Sequence, residues 1–541
     1  YRRPWILLIP EGLRCMSAGM SINDYYRGKG VLLTGGSGFM GKVLVEKLLY
    51  SVPDIGNIYI LMRPKRGKSV NQRIEELQRL PVSSAVLFNI NNCPIKVLQG
   101  DVLFENFGLS DMDIEKLSEE ISLVFHFAAT LRLEAPLKDN VNMNTCGTQR
   151  TLNVAKRLKK VEVFVHLSTA FCYPDYKIHP PTVLPSDIMR LIEWLDDKQL
   201  ALLTPSLLGA HPNCYTYSKR LAESIVANAF ETMPVVIARP SIVCPALSEP
   251  LPGWVDNLNG PVGLMLGAGK GAIRSMLCDG SLFAQVIPVD TAINAIIAIG
   301  MIEVLRTEKP DVIPIYNINT GHQKPTTWGD VLRIGKDYGR KYPLAWPLWY
   351  PNGDITTNYA LHEFKRIFYH LLPAYCIDFL LLITGQKRFM LRVQERISQG
   401  LQVLQYFTMR PWSFPCPNFD AIESKLHGDD KTTFSTDLSN VEKKEYIQNC
   451  VEGGRLYCLK EDPAKIHLNK MYQNLLLYFY FIYVLYCIFS LYVLDWIVKI
   501  LFSLLILSFL AKWFEPVKDV LSFGEPVVKH VPFLGPAVFD K

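Results

Sequence analysis

The stretch 214–223, "CYTYSKRLAE", places a tyrosine and a lysine four residues apart. In a helix this spacing puts Tyr215 and Lys219 on one face, where the ammonium lowers the pKa of the phenol and can hold a nicotinamide ribose. A tyrosine tuned in this way can give a proton to an oxygen while a hydride reaches the adjoining carbon. The pair therefore predicts proton transfer coupled to hydride transfer.

Tyr-x-x-x-Lys also arises by chance, and the chemistry needs a hydroxyl group from the end of the preceding strand. "HLSTA" supplies Ser168 and Thr169 in the correct order along the chain. Tyr217 is displaced from the lysine by roughly 200° around the helix, so it points away. The predicted catalytic residues are Tyr215, Lys219, Thr169 and Ser168.

"GKGVLLTGGSGFMGKVLVEKLL" (28–49) contains two glycine patterns. Gly36, Gly38 and Gly41 read G-x-G-x-x-G, whereas Gly35, Gly38 and Gly41 read G-x-x-G-x-x-G. The apolar run before them and the amphipathic run after them predict a strand, a tight turn and a helix. Glycines in such a turn let the backbone approach a pyrophosphate at the positive end of the helix dipole. A dinucleotide site is predicted, and these residues alone leave both registers open.

The second predicted strand ends in "LMRPKRG", at the point where a dinucleotide site contacts the adenosine ribose. A site that prefers NAD has an acidic residue there. Here Arg63, Lys65 and Arg66 are cations that suit a 2′-phosphate, which favours NADPH over the alternative of a solvated basic loop. Asp101, after the third strand, is expected to contact adenine.

"HFAA" (126–129) provides small residues near the middle of the cofactor, and His126 is expected to be a packed strand residue rather than a catalyst. The residues expected to bind the cofactor are Thr34, Gly35, Gly38, Phe39, Gly41, Arg63, Lys65, Asp101, Val102, Ala128, Ala129, Lys219 and Pro240.

The chain has 541 residues, more than one core usually supports, so two or more folded units are expected. A net charge of +6 without a long Lys/Arg block argues against nucleic-acid binding. The twelve cysteines lack C-x-x-C or zinc spacing, which predicts reduced, packed thiols, no metal site and a catalytic region that faces the cytosol. No oligomeric state is predicted.

Short apolar runs alternate with amphipathic segments from residue 30 to about 320, which predicts an α/β, Rossmann-type doubly wound parallel sheet. A mainly helical C-terminal domain and a C-terminal membrane segment are expected to follow. The N-terminal stretch lacks an initiator Met, and Met16 or Met20 is the expected start. The predicted divisions are an N-terminal extension (1–27), an NADP-binding reductase domain (28–340) with substrate loops at 241–290, a C-terminal domain (341–470), one or two membrane segments (471–513) and a tail (514–541).

The run from Leu475 to Ala511 has only two charged residues, Asp495 and Lys499, so it is apolar enough to lie within a membrane. One helix over this run would be about 55 Å long, longer than a ~30 Å hydrocarbon core. The run is therefore either a hairpin that bends near Asp495 or a single tilted span, with a buried soluble hairpin as the alternative. "HLLPAYCIDFLLLITG" (370–385) is short and contains Asp378, so a buried or interfacial helix is expected there.

The glycine turn, "HFAAT", "HLSTAF", "YTYSK" and "ARPSIV", in that order, resemble the extended short-chain dehydrogenase/reductases, which use the Gly35, Gly38 and Gly41 register. "IYILMRPKRG", "GWVDNLNGP", "YFTMRPWSF" and "TTFSTDLSNVEKKEYIQNCVEGGRLYCLKED" resemble, more specifically, the alcohol-forming fatty acyl-CoA reductases from about residue 20 to 470. One departure is that the family usually has a Trp shortly before the position of Tyr446.

The resemblance implies reduction of a long-chain fatty acyl-CoA to a fatty alcohol by two NADPH, with release of CoA through an aldehyde. It also implies a lipid membrane as a partner, in the endoplasmic reticulum or the peroxisome. The alternatives are a reductase that acts on a sterol, a nucleotide sugar or another lipid carbonyl, and a non-catalytic NADP-binding sensor. Against the sensor, the Tyr, Lys and hydroxyl set is intact.

Overall fold

The computed structural model describes residues 19–65, 67–78, 94–173, 183–320, 323–492 and 502–509. The chain forms two compact units that are interleaved along the sequence. The first unit comprises Tyr1–Pro252, Phe283–Pro325 and Pro411–Glu442, and the second comprises Gly253–Leu282, Thr326–Arg410 and Lys443–Lys541.

The strands of the described residues are β1 (Gly30–Thr34), β2 (Ile58–Met62), β3 (Ile95–Gln99), β4 (Ile121–His126), β5 (Val163–Leu167), β6 (Val235–Pro240), β7 (Ile242–Cys244), β8 (Ser275–Leu277), β9 (Val286–Pro288), β10 (Ile315–Ile318) and β11 (Asp354–Thr356).

The helices of the described residues are α1 (Ile22–Tyr26), α2 (Phe39–Ser51), α3 (Val70–Gln78), α4 (Asp111–Glu120), α5 (Leu137–Asn140), α6 (Gly147–Ala155), α7 (Pro185–Trp194), α8 (Asp197–Leu208), α9 (Cys214–Ala229), α10 (Pro261–Gly269), α11 (Val289–Val304), α12 (Trp328–Lys341), α13 (Tyr359–Arg366), α14 (Leu372–Ile383), α15 (Met390–Thr408), α16 (Pro417–Asp420), α17 (Ile422–Lys425), α18 (Asp430–Thr433), α19 (Lys443–Gly453) and α20 (Ile466–Tyr492). Single π-helical turns join α5 to α6 (Val141–Cys146) and α13 to α14 (Ile367–Leu371).

The first unit contains a seven-stranded sheet in the order β3-β2-β1-β4-β5-β6-β10, with every neighbouring pair parallel. The order reverses direction between β1 and β4, and ligands of doubly wound sheets bind at the carboxyl ends of the strands at such a point. The predicted α/β fold is confirmed, and β1 to β6 and β10 lie within the predicted alternation from residue 30 to about 320.

Helices cover both faces of this sheet, because parallel strands need crossover connections. In β4, Val124 belongs to a core cluster with Ile114 of α4, Leu152 of α6 and Val226 of α9. Its neighbour Phe125 faces the other side, close to α11. All five residues of β1 are buried, as expected for a central strand covered on both faces.

The second unit is mainly helical, with one two-stranded sheet formed by β8 and β11. Helix α12 packs against α19, and α15 packs against both α14 and β8. The apolar side chains of α15 and β8 meet in a small core that includes Ile273, Met276, Val393 and Ile397.

Residues 241–290 contain more regular structure than the loops predicted for them, namely β7, α10, β8 and β9. Gly and Pro do not prevent the helix here, because Pro261 occupies its first turn, where no backbone N–H is needed. The compact units divide the chain differently from the domain boundaries predicted from composition, which remain a prediction.

Of the predicted membrane run, α20 covers the first part, residues 502–509 are helical, and 493–501 and 510–513 lie outside the described residues. The predicted N-terminal start and the tail also lie outside them. Among the described helices, the one long and apolar enough to cross a membrane is Tyr359–Ile383, with a mean hydropathy of 1.5 and 22% of its apolar window buried.

Candidate active site

The glycine-rich turn joins β1 to α2, with Gly38 as the N-cap of the helix. Gly35 has a φ of +75°, and a Cβ there would lie 2.7 Å from the backbone N of Ala128. A Cβ on Gly41 would lie 2.4 Å from the carbonyl O of Gly35. Since backbone atoms cannot move aside, both positions require glycine.

Gly36 is also closely packed, but a Cβ there would meet the side chain of Ile60, at 2.6 Å, rather than backbone. It has no positive φ. The left-handed conformation therefore belongs to Gly35, which supports the register Gly35, Gly38 and Gly41. The small cradle that a Cβ would fill fits a pyrophosphate at the start of α2.

Thr34 ends β1 and fixes the floor of this cradle. Its Oγ1 accepts a hydrogen bond from the backbone N of Ala128 at 3.2 Å and pairs with Nδ1 of His126 at 2.8 Å. Nε2 of His126 pairs with Oγ1 of Thr148 at 3.0 Å. Burial, with Lys219 nearby, lowers the pKa of His126 to about 3, so the imidazole is neutral, as expected for a packed strand residue.

At the end of β2, Arg63 Nη1 donates to Asp101 Oδ2 at 2.6 Å. Two residues predicted to contact the adenosine end are thus paired with each other. Arg73, on α3, donates through Nη2 to Ser37 Oγ of the glycine turn at 2.7 Å and through Nη1 to the carbonyl of Arg63. No sequence motif pointed to Arg73, because it comes ten residues after Arg63, inside a polar helix.

The other predicted cofactor residues surround the same strand ends. Val102 is buried, Ala128 and Ala129 are partly exposed after β4, and Pro240 ends β6. Lys65 forms a backbone bridge with Lys68. Arg66 lies outside the described residues.

Helix α9 begins at Asn213, whose side chain caps it by accepting from the N of Thr216 at 2.9 Å. At the second residue of the helix, the Tyr215 phenol lies beside the side chain of Thr169, which acts to lower its pKa. Lys219 Nζ donates to the carbonyl of Leu167, the last residue of β5, at 2.8 Å. The structure thus brings Tyr215, Lys219 and Thr169 together at the carboxyl end of β5.

Ser168 is oriented differently from Thr169. Its backbone N donates to Ala238 of β6, and its Oγ lies 4.0 Å from Cys172 Sγ. Between the two predicted hydroxyls, the geometry favours Thr169 as the partner of the tyrosine.

The predicted lowering of the Tyr215 pKa by Lys219 is wrong for this structure. Burial raises the pKa of Tyr215 well above its usual value, and the hydrogen bond from Thr169 opposes that rise only in part. The ammonium of Lys219 is directed at Leu167, and its own pKa falls to about 8 because it is buried. The Tyr215 hydroxyl therefore stays protonated at neutral pH, as the predicted proton donor must.

Tyr217 lies on the other side of α9, as expected. It is buried in a cluster with Leu137, Ile188 and Leu221, and its ring meets His211 edge to face at 5.5 Å.

Beneath the predicted catalytic set is a buried ion pair that the sequence analysis did not assign. Glu223, one turn after Lys219, accepts from Arg239 Nε at 2.8 Å and from Cys172 Sγ at 3.2 Å. The Arg239 guanidinium lies 4.4 Å from the centre of the Tyr173 ring. Both charged residues stand in quoted motifs, "CYTYSKRLAE" and "ARPSIV", so a signal was present, but only the fold shows that they meet.

Next to Thr169 the first unit forms an aromatic cluster. Phe171 packs edge to face on Trp412 at 5.1 Å and on Phe414 at 5.0 Å, both from the "YFTMRPWSF" motif. Asn319 donates a hydrogen bond to the backbone carbonyl of Phe414, and Gln285 donates one to that of Trp412. An apolar wall therefore adjoins the hydroxyls that are predicted to be catalytic.

Nine cysteines among the described residues are unpaired, and seven of them are buried, as expected for packed cysteines. Within the same residues, no group of three or more His, Cys, Asp or Glu side chains has the arrangement of a metal site.

The sequence matches a family model described as "Male sterility protein" over residues 33–296, an NAD-binding model, and a second model of that description over residues 369–461. Fatty acyl-CoA reductase 1 of Gallus gallus is 36% identical over 464 residues, which cover 84% of this chain and 90% of that protein. Fatty acyl-CoA reductase 2 of Bos taurus is 36% identical over 467 residues, covering 83% and 89%.

Solved structures with a similar fold include the reductase domain of a nonribosomal peptide synthetase from Mycobacterium tuberculosis. Its TM-score is 0.54 at 17% identity, covering 84% of this chain and 97% of that chain. The terminal R domain of the myxalamid pathway gives a TM-score of 0.51 at 20% identity, covering 79% and 90%. At such identities the likeness shows the fold.

Proposed function

This chain belongs to the fatty acyl-CoA reductase family, an alcohol-forming oxidoreductase family, and from that premise we propose that it reduces a long-chain acyl-CoA with two molecules of NADPH, releasing CoA through an aldehyde. The family establishes acyl reduction with a nicotinamide cofactor. The observation that carries the finer proposal is that Tyr215 lies beside the Thr169 side chain, while Lys219 donates to Leu167, at the carboxyl end of β5.

The residues of the chain account for the steps that a protein must supply. The glycine turn and Lys219 would hold NADPH, which when bound would supply the hydride for the thioester carbon in the first round and for the aldehyde carbon in the second. Thr169 and Tyr215 donate hydrogen bonds to the carbonyl oxygen as it becomes negative, a preorganised stabilisation. Collapse of the resulting hemithioacetal expels the CoA thiol. In the second round Tyr215 Oη gives its proton to the alkoxide.

The direct test supplies purified protein with NADPH and palmitoyl-CoA and follows the loss of NADPH and the alcohol by gas chromatography. Hexadecanol with free CoA supports the proposal. NADPH binding without turnover would favour the non-catalytic sensor, and turnover of a sterol ketone but not of palmitoyl-CoA would favour the other reductase.

For cofactor choice, we expect Arg63→Ala to raise KM for NADPH much more than KM for NADH. A charge-assisted contact to the 2′-phosphate is worth roughly 1.5–3 kcal/mol, or about tenfold to more than a hundredfold. Arg157→Ala is a matched control, because Arg157 pairs with Asp111 on the surface. Equal effects of Arg63→Ala on both cofactors would contradict the NADPH assignment.

The depressed pKa of Lys219 predicts a falling limb in the pH profile of kcat/KM for NADPH. Below about pH 8 the side chain is an ammonium that can hold the cofactor, and as the pH rises through 8 the cation is lost. Lys219→Arg keeps the charge, so its profile should stay flat through pH 8 to 10, whatever its absolute rate. A wild-type profile that is flat over the same range would remove the proposed role.

For localisation, we place the protein at the endoplasmic reticulum or peroxisomal membrane, with the catalytic unit facing the cytosol and anchored by the C-terminal apolar run. A chain that ends at Asn474 keeps Tyr472, which packs against Trp346 at 4.8 Å, but lacks the run. We expect this chain to be released by alkaline carbonate and to retain reductase activity. Retention in the carbonate pellet would place the anchor elsewhere.

A further inference from the structure

The helix Tyr359–Ile383 of the second unit exposes an apolar stripe, defined here as Phe364, Phe368, Leu372, Tyr375, Phe379 and Leu382. These residues are spaced by three or four, so they form one line along the helix. Each is between 48% and 61% exposed. In a protein surrounded only by water this face would be expected to carry polar side chains.

The opposite, buried face of the same helix holds three hydrogen-bonded polar side chains as well as Ala374 and Leu381. His362 pairs with Ser275 Oγ at 2.9 Å, and His370 Nε2 accepts from the backbone N of Arg274 at 2.9 Å. Asp378 caps α15 by accepting from the backbone N of Met390 at 2.8 Å. The helix thus buries polar groups while it exposes a continuous apolar stripe, which is unlike a soluble amphipathic helix.

A membrane span is excluded by the neighbour of this helix. Helix α15 follows after a short turn, packs against α14, and carries Arg392, Glu395 and Arg396 within two turns. If Tyr359–Ile383 crossed the hydrocarbon, α15 would take these charges with it, at a cost of several kcal/mol. A helix that lies flat, about 37 Å long, avoids that cost.

Two further observations favour a lipid surface over a protein partner. The Arg274 guanidinium lies 4.3 Å from the Tyr369 ring and 4.8 Å from the Trp349 ring, and Trp349 in turn contacts Tyr480 of α20 at 6.0 Å. This cluster joins the exposed helix to the middle of α20, the second apolar helix of the unit. Aromatic rings with a cation are typical of the depth at which headgroups meet acyl chains.

The exposed charges after the end of this helix and at the start of α20 are positive, the sign that complements lipid phosphates. Lys387 and Arg388 are exposed in the turn after Ile383, and Lys470 is exposed in the first turns of α20. Cations there suit the phosphates of lipid headgroups.

We propose that Tyr359–Ile383 lies in the plane of the bilayer surface, with its apolar stripe inserted at the boundary between headgroups and acyl chains, as a lipid contact distinct from the C-terminal run. The contact would hold the second unit against the membrane at two places. It depends neither on the reaction proposed above nor on the number of spans at the C terminus.

The test uses the full chain in phosphatidylcholine vesicles containing phosphatidylserine. A fluorescent amino acid replaces one residue per variant at Phe364, Leu372 or Phe379 of the stripe, at Glu395 on the exposed side of α15 as the control, or at Tyr483 of α20. Quenching is measured with lipids that carry a nitroxide at a shallow or a deep acyl position and with aqueous iodide. NADPH binding identifies variants that are folded.

The proposal predicts shallow, equal lipid quenching at Phe364, Leu372 and Phe379, and iodide quenching alone at Glu395. A spanning helix would instead give a steep difference, because Phe364 and Phe379 would be about 22 Å apart in depth. Iodide quenching of all three stripe positions, with lipid quenching at Tyr483, would overturn the proposal and leave the C-terminal anchor intact. Protection from both quenchers would show a protein partner or a second copy and would also overturn it.

Discussion

Replacing Tyr215 with Phe is expected to lower the reduction of both acyl-CoA and added aldehyde by at least ~100-fold. The change removes the hydroxyl that lies beside the Thr169 side chain and retains the ring. Both reductions need a donor at the oxygen, and loss of one preorganised donor typically costs about this much. Single-turnover rates with each substrate measure the effect, and NADPH titration should show cofactor binding retained.

Tyr217→Phe is the matched control, because the same atom is removed from the same helix two residues away. Its hydroxyl belongs to a buried cluster on the far side of α9, so a loss of about 1 kcal/mol in stability is expected with near-normal turnover. If Tyr217→Phe were inactive and Tyr215→Phe active, the catalytic assignment would have to be withdrawn.

Gly35→Ala is expected to have the second largest effect, through cofactor binding and stability together. Its φ of +75° costs a residue with a Cβ roughly 1–2 kcal/mol, and that Cβ would overlap the backbone N of Ala128 at 2.7 Å. The turn must shift to relieve the overlap, which moves the backbone away from the pyrophosphate. We expect at least a ~10-fold loss of NADPH affinity and a lower Tm.

Gly28→Ala separates the cost of the positive φ from the effect of the Cβ overlap. Gly28 has a φ of +68°, but nothing lies within 4 Å of a Cβ built on it. This variant should lose only the stability that the positive φ costs an alanine, and it should bind NADPH normally. Equal loss of NADPH affinity in both variants would mean that Gly35 has no special place in the cofactor site.

The sequence was sufficient for the features that depend on local pattern. The strand positions, the turn before α2 and the relation of Tyr215 to Lys219 follow from apolar runs, glycines and helical spacing, all of which act over a few residues. The choice of Thr169 over Ser168 could not be predicted, because it depends on how the chain turns after Leu167. A one-residue difference there directs one hydroxyl at Tyr215 and the other towards Cys172.

Contacts of charged side chains with residues far away in the sequence could not be predicted either. Arg73 reaches Ser37 only because α3 folds back over the glycine turn, and Glu223 meets Arg239 only because α9 crosses β6. The pKa of Tyr215 was predicted with the wrong sign for the same reason. The spacing in the sequence shows that Lys219 is close to Tyr215 along the helix. The burial of Tyr215 and the direction of the Lys219 ammonium depend on how the whole chain packs.

The interleaving of the two compact units has a consequence for synthesis on the ribosome. The first unit requires residues 411–442, and the backbone N of Ile22 in α1 donates to Asp430 Oδ2, 408 residues later. At about 5–20 residues per second, α1 waits roughly 20–80 s for that acceptor to emerge. During this time the partly made first unit is incomplete, and the segment 253–282 of the second unit has already been synthesised without its partners. Nascent chains stalled before residue 411 are thus natural clients for chaperones, and neither unit can be released by a single cut in the gene.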